Sequence, residues 1–284
     1  MAGRPPPVLT VCLSRGIVNG TGQYRRLTKH ETHMINLKND NGIATVTITH
    51  GKANALDIEL SEELAACFEQ ISESAARAVV ITGAGRIFSA GVDLIRLSSA
   101  GPDYVRKFLP ALHRSFSAVF FCPNPVVAAI NGHAIAGGCV LACSADRRIM
   151  ARANGRIGVT ELLVGVPFPA MAFETMRFAV PARHLSELLY TGATYEVDAA
   201  LERGLVDAVV EPDELMRSAI AAAEQLAALS PAAFAQSKAQ LRAEARERLE
   251  RTGAATDKIA ADIWAAEPTL RYIRDYVAST LKKA

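Results

Sequence analysis

The chain has 284 residues, half of them hydrophobic and 21% charged, which suits one large globular domain or one domain with a helical appendage. Its net charge of +2 is unevenly placed. Residues 1–33 carry Arg4, Arg15, Arg25, Arg26 and Lys29 against Glu31 alone, so the remainder is slightly acidic and a poor nucleic-acid surface. The longest apolar run, near Val126–Ile130, falls far short of the ~20 residues that cross a bilayer. Five cysteines (Cys12, Cys67, Cys122, Cys139 and Cys143) show no C-x-x-C spacing, which argues against metal clusters and disulfide frameworks. They read as small buried apolar residues in a reducing compartment, hence a cytoplasmic expectation.

Residues 1–33 contain Pro5-Pro6-Pro7 and scattered Arg, with no apolar core of a secretory signal. They read as a disordered or non-native leader: an expression leader, an upstream start-site extension or an Arg-rich targeting peptide. His33-Met34 before the first patterned segment favours the first two.

From residue 34 the pattern is regular. Ile43–Ile48 alternates as a β-branched strand, and Asp57 is placed to cap a helix running to about Glu73. In that helix Leu60, Leu64, Cys67, Phe68 and Ile71 share a face. Ala78–Thr82 is an apolar strand without alternation, buried on both faces, and it breaks at Gly83-Ala84-Gly85. Residues 103–119 read as helix, with Pro110 a kink or a boundary. A buried strand follows at Val126–Ile130, then a small-residue helix near Gly137 and strands at Arg147–Ala151 and Val206–Val210. The alternation predicts an α/β core over residues 34–211 with crossover connections. Residues 212–284 carry no strand signal and read as helical throughout, with Ser230-Pro231 opening one helix and another over Thr256–Trp264. No linker divides the two parts.

Three stretches carry candidate chemistry. Phe88-Ser89-Ala90-Gly91-Val92-Asp93-Leu94 follows a buried strand, and its small residues expose backbone N–H groups to an anion or make a plain tight turn. Asn131-Gly132 through Ala136-Gly137-Gly138-Cys139 places a glycine pair at a helix start. That end offers unpaired N–H donors to a developing oxyanion, although glycine equally serves close helix packing. Third, Glu161 is a single carboxylate between Gly158 and Gly165. Burial would raise its pKa into the range of a base working near neutrality; the plainer role is an acid at a helix start. The G-x-G-x-x-G dinucleotide spacing is absent.

In this order, and together with Asn54-Ala55-Leu56, Thr191-Gly192 and Gly204-Leu205-Val206, these stretches resemble the crotonase superfamily, the enoyl-CoA hydratase/isomerase family. The resemblance spans roughly residues 34–284. It implies a crotonase-like spiral of ββα units with a C-terminal helical portion that trimerises, trimers that pair into hexamers, and a CoA thioester as substrate with no separate cofactor or metal. By position it puts the two oxyanion-hole N–H groups on Ala90 and Gly137, with Glu161 as the catalytic carboxylate. Lys52, Ala53, Ala55, Leu56, Ser89, Asp93, Leu94, Ala136, Gly138 and Val140 would line the CoA and acyl path, and Lys282 or Lys283 would meet CoA phosphates.

Val140 departs from the family's hydratases, which place a first glutamate there and a second at the position of Glu161. Gripping a water for addition needs two carboxylates; moving a proton from C2 to C4 of a 3-enoyl thioester needs one. The expectation is therefore isomerisation. A hydratase drawing on Asp103 or His113, or a catalytically weak acyl-CoA binder, are the alternatives. Gly165-Val166-Pro167-Phe168-Pro169 replaces the Gly-rich segment usual in the family and implies a bulkier wall.

Overall fold

In the computed structural model the described residues are 33–281. The expected leader, and with it Cys12, lies outside them, as do Lys282 and Lys283. The chain opens with a hairpin, β1 (Ile35–Asp40) and β2 (Ile43–Ile48), whose Asn41-Gly42 turn has φ of 51° and 81°. Both turn residues sit in the left-handed region that a two-residue hairpin of this twist requires. The helix α1 (Ile58–Ser72) follows, capped by Asp57, whose Oδ1 accepts the Leu60 N–H at 2.8 Å.

Three ββα units come next. The first is β3 (Ala78–Gly83), β4 (Ile87–Ser89), α2 (Leu94–Ala100) and α3 (Pro102–Phe120). The second is β5 (Val126–Ile130), β6 (His133–Ile135) and α4 (Gly137–Cys143). The third is β7 (Arg147–Ala151), β8 (Ile157–Gly158), a 3₁₀ turn at Glu161–Val164, and α5 (Ala170–Ala179). In each unit the first strand joins one sheet and the second joins another. The larger sheet has the order β1-β2-β3-β5-β7-β9, parallel except for β1, and the smaller is the parallel set β4-β6-β8. Helices α6 (Ala182–Thr191) and α7 (Val197–Glu202) lead to β9 (Ala208–Val210), shorter than the strand expected from Val206.

The central strands β3 and β5 of the larger sheet are buried on both faces, as their unbroken apolar runs require, while the edge strand β1 is largely exposed. Val79, Ile81, Ala128, Ile130 and Met150 face the main core with α1 and α3. Their neighbours Ala78, Val80, Val127, Ala129 and Ile149 face α8 (Leu215–Ala227), through Leu215, Ala219, Ala222, Ala223 and Ala227. Pro110 neither ends nor divides α3; it stands on the solvent side, where the carbonyl it leaves unbonded can face water. Cys67, Cys122, Cys139 and Cys143 are buried free thiols.

The C-terminal stretch continues with α9 (Pro231–Leu241), α10 (Ala243–Arg248), α11 (Ala254–Trp264) and α12 (Glu267–Tyr276). A buried ion cluster locks it to the core. Asp146 accepts from Lys238 Nζ at 2.6 Å, from Arg242 at 2.8 Å and from the Val126 N–H at 2.8 Å. The Arg242 guanidinium also lies 4.0 Å from the centre of the Phe120 ring. Removing one partner of such a cluster strands a buried charge, at a cost of about 3–5 kcal/mol. No helix among the described residues is long and apolar enough to cross a membrane.

Candidate active site

The segment after β4 and the loop before α1 are stitched together. Ser89 Oγ donates to Asn54 O at 2.7 Å and accepts the Gly91 N–H at 3.2 Å. Leu56 N–H donates to Gly91 O at 2.7 Å, and Asp93 N–H returns to Leu56 O at 3.0 Å. Asn54 sits at the crossing, 2% exposed and at φ 48°. Its Nδ2 donates to Ile87 O at 3.0 Å and Phe88 O at 3.2 Å, and its Oδ1 accepts the His50 N–H at 3.0 Å. The Val92 N–H, between them, has no partner among the described residues.

The second donor comes from the start of α4. Ala136 is held at φ 50°, ψ −122°, a sparsely allowed conformation for a residue with a Cβ. Its N–H donates to Gly158 O at 2.8 Å, and its carbonyl receives the Val140 N–H at 3.1 Å. The next N–H, that of Gly137, has no acceptor among the described residues. Close approach explains the glycines here. A Cβ on Gly91 would stand 2.5 Å from Ile135 O and 3.2 Å from Gly137 N, and one on Gly137 would stand 2.9 Å from Leu56 Cδ1 and 3.7 Å from Val92 Cγ2. Val92 and Gly137 therefore lie side by side, each with an unspent N–H. Two such groups can receive one developing oxyanion.

Pairing of β6 with β8 sets the carboxylate against α4, through Ala134 with Ile157 and Ile135 with Gly158. Three residues beyond Gly158, Glu161 opens the 3₁₀ turn, which Gly165 closes in the left-handed conformation at φ 77°. The Glu161 side chain is 7% exposed and its Oε2 has no hydrogen-bond partner. Burial raises its pKa from 4.5 to about 7; the backbone groups of Glu161 and Thr160 pull weakly the other way, and no neighbouring charge contributes. Its charge is felt at Cys139, whose thiol is raised first by its own burial. Val140, next along α4, is fully buried. No other carboxylate is among the groups that shift Glu161.

The structure brings most of the expected residues to this region in differing capacities, and one expectation is corrected. Ala90 is not a free donor, because its N–H is committed to Ala53 O at 2.9 Å. The unpaired group is two residues on, at Val92. Lys52 is exposed at the outer end of the loop, with Ala53 and Ala55 half-buried beside it and Leu56 buried beneath. Asp93 caps α2, its Oδ1 accepting the Arg96 N–H at 2.9 Å, and Leu94 is the first residue of that helix. Gly138 is a packing residue, since a Cβ there would lie 2.3 Å from Ser89 O. Asp103 is exposed in the first turn of α3, and His113 is paired with Asp257 at 3.1 Å. The part played by Asn54 is tertiary: its amide reaches residues 33 and 34 positions away.

A spiral of ββα units, with its glycine-rich helix start facing a buried carboxylate, is the build of the crotonase superfamily. The chain belongs to the enoyl-CoA hydratase/isomerase family, which matches it over residues 38–269. It is 34% identical over 211 residues to a short-chain-enoyl-CoA hydratase of Clostridium acetobutylicum, a match covering 73% of this chain and 80% of that enzyme. It is 33% identical over 204 residues to the mitochondrial Δ(3,5)-Δ(2,4)-dienoyl-CoA isomerase of Rattus norvegicus, covering 67% of this chain and 62% of that enzyme. Among solved structures, the human mitochondrial Δ3-Δ2-enoyl-CoA isomerase superposes with a TM-score of 0.84, covering 88% of this chain and 99% of its own. At 24% identity that likeness carries the fold.

Proposed function

We propose that this chain isomerises 3-enoyl-CoA to 2-enoyl-CoA thioesters with Glu161 as its one proton carrier. The observation that carries the reading is a lone buried carboxylate with a pKa of about 7, in a chain with valine at position 140, where the family's hydratases carry their other glutamate. In this mechanism the thioester oxygen sits against the N–H groups of Val92 and Gly137. Ionised Glu161 removes a C2 proton, and the electron pair spreads through the C3=C4 bond as a dienolate whose oxygen the two donors stabilise. The protonated Glu161 returns its proton to C4, leaving the double bond between C2 and C3 and the carboxylate regenerated. A carboxyl titrating near 7 serves both halves, as a base strong enough to take the proton and an acid ready to return it.

The loop Lys52–Leu56 and the segment Ser89–Leu94 line the path of the CoA moiety, with Ala136 and Val140 along the acyl side. The substrate supplies the CoA, and no cofactor or metal takes part. The C-terminal helices assemble the chain into a trimer or a pair of trimers, and the buried free thiols suit a reducing, cytoplasmic setting.

The test is the absorbance of conjugated 2-enoyl-CoA when purified protein meets 3-enoyl-CoA. A rise that falls by roughly 10²–10⁴-fold in Glu161→Gln supports the reading. No rise despite bound acyl-CoA, or turnover unchanged in the variant, sinks it. Water addition to 2-enoyl-CoA, followed as loss of the same absorbance, then tests the hydratase alternative.

A further inference from the structure

We infer that Trp264 and Asp257, on α11, are positioning residues that hold the Glu161 turn in its working geometry. The inference rests on Glu161 being the proton carrier.

The 3₁₀ turn closes on itself through Leu163 N–H to Thr160 O at 3.0 Å, Gly165 N–H to Leu162 O at 3.2 Å and Val166 N–H to Glu161 O at 3.1 Å, but the link from it to α5 does not: Pro167 and Pro169 have no N–H to donate, and residues 167–169 donate no backbone bond. The first N–H of α5 lacks a local cap, since Pro169 stands at the capping position. Both deficits are met from α11. Trp264, 2% exposed, donates its Nε1–H to Pro167 O at 2.8 Å. Asp257 Oδ1 accepts the Ala170 N–H at 2.7 Å, so a residue 87 positions away caps α5. The other oxygen of Asp257 is held by His113 Nδ1 at 3.1 Å, which ties the strut to α3. Burial alone would raise the Asp257 carboxyl, yet the bonds from His113 and the Ala170 N–H keep it below its ordinary value. It stays an ionised acceptor. The result is a turn clamped at Pro167 and Ala170, with Glu161 at its head.

The chain has one tryptophan, so its emission reports on this clamp directly. In the full-length protein, Trp264 fluorescence is expected to show a step near pH 7 that disappears in Glu161→Gln. Kinetically, Trp264→Phe keeps an aromatic six-membered ring and removes the N–H with the rest of the indole; the melting temperature falls, and at a temperature where the variant is folded kcat is expected to fall about tenfold with KM little changed, as for a group displaced by a fraction of an ångström. Asp257→Ala should behave alike, and Asp257→Asn, which retains an acceptor for the Ala170 N–H, should recover most of the loss. If Glu161→Gln abolishes turnover while Trp264→Phe and Asp257→Ala keep wild-type kcat, the positioning role is overturned and the isomerase reading stands. If Glu161→Gln retains turnover, the isomerase reading falls. An emission profile that Glu161→Gln reproduces unchanged overturns the positioning role whatever the kinetics.

Discussion

The two sides of the site are held in different ways. On the donor side, Val92 and Gly137 are fixed by bonds and close packing inside the ββα units, with glycines where a Cβ would collide. On the acid side, Glu161 heads a proline-interrupted turn fixed by a helix near the end of the chain. Backbone donors aimed at a developing charge gain from rigidity, because any reorganisation during the reaction weakens them. A carboxylate that is to hold a proton near neutrality needs a dry setting more than a crowded one. The comparison teaches that one half of this chemistry is built from local chain geometry and the other from a long-range contact.

The strongest challenge to the packed donor side is Gly138→Ala, whose Cβ would meet Ser89 O, a backbone atom that cannot yield, at 2.3 Å. A loss of about 3 kcal/mol or more is expected in urea unfolding, against far less for Gly253→Ala, where a Cβ would meet nothing closer than 3.7 Å. The acid side is tested by stability against pH. The folded pKa of Glu161 lies near 7, above its ordinary 4.5, so the folded state holds the proton more tightly. This contribution is full below about pH 4.5, is lost as pH rises through about 7, and totals on the order of 3 kcal/mol. Glu161→Gln should remove that slope, and equal slopes in the two proteins would refute the burial argument.

Asn54→Ala sharpens the donor side further. It deletes the amide between the two loops, leaves Ile87 O and Phe88 O unpaired, and should cost about 2 kcal/mol with a matching fall in kcat. The mildest probe is Val140→Glu. A second carboxylate should move the Glu161 titration upward by about one unit through like-charge repulsion, which costs roughly tenfold in isomerisation at pH 6. An unchanged pH–rate profile would mean that the introduced side chain points away from Glu161.

Much of the fold was legible in the sequence for reasons of pattern. The apolar runs at Ala78–Thr82 and Val126–Ile130 are too short for helices and too uniform for a half-exposed strand, and both are central strands. Asp57 caps α1, and Ser230-Pro231 opens α9, as their side chains dictate. The smaller sheet was not legible. Its strands are two or three residues long, below the length at which alternation means anything, and they exist because consecutive units stack. The Asn41-Gly42 hairpin did carry a local signal, the dipeptide itself, and β1 beside it was readable from that alone.

By itself the sequence determined the family: the glycine pair at a helix start and the lone glutamate are matters of residue type, which no fold alters. Only the tertiary structure decided which N–H groups are free. Ala90 and Val92 are equivalent in the chain, and they differ because Ala53 O takes the hydrogen of one and nothing takes that of the other. It alone also raised the Glu161 pKa, since burial depends on what the whole chain packs around a side chain, and it alone brought Trp264 to Pro167. Hydrogen-bond availability and desolvation are set by neighbours in space, which a linear sequence does not contain.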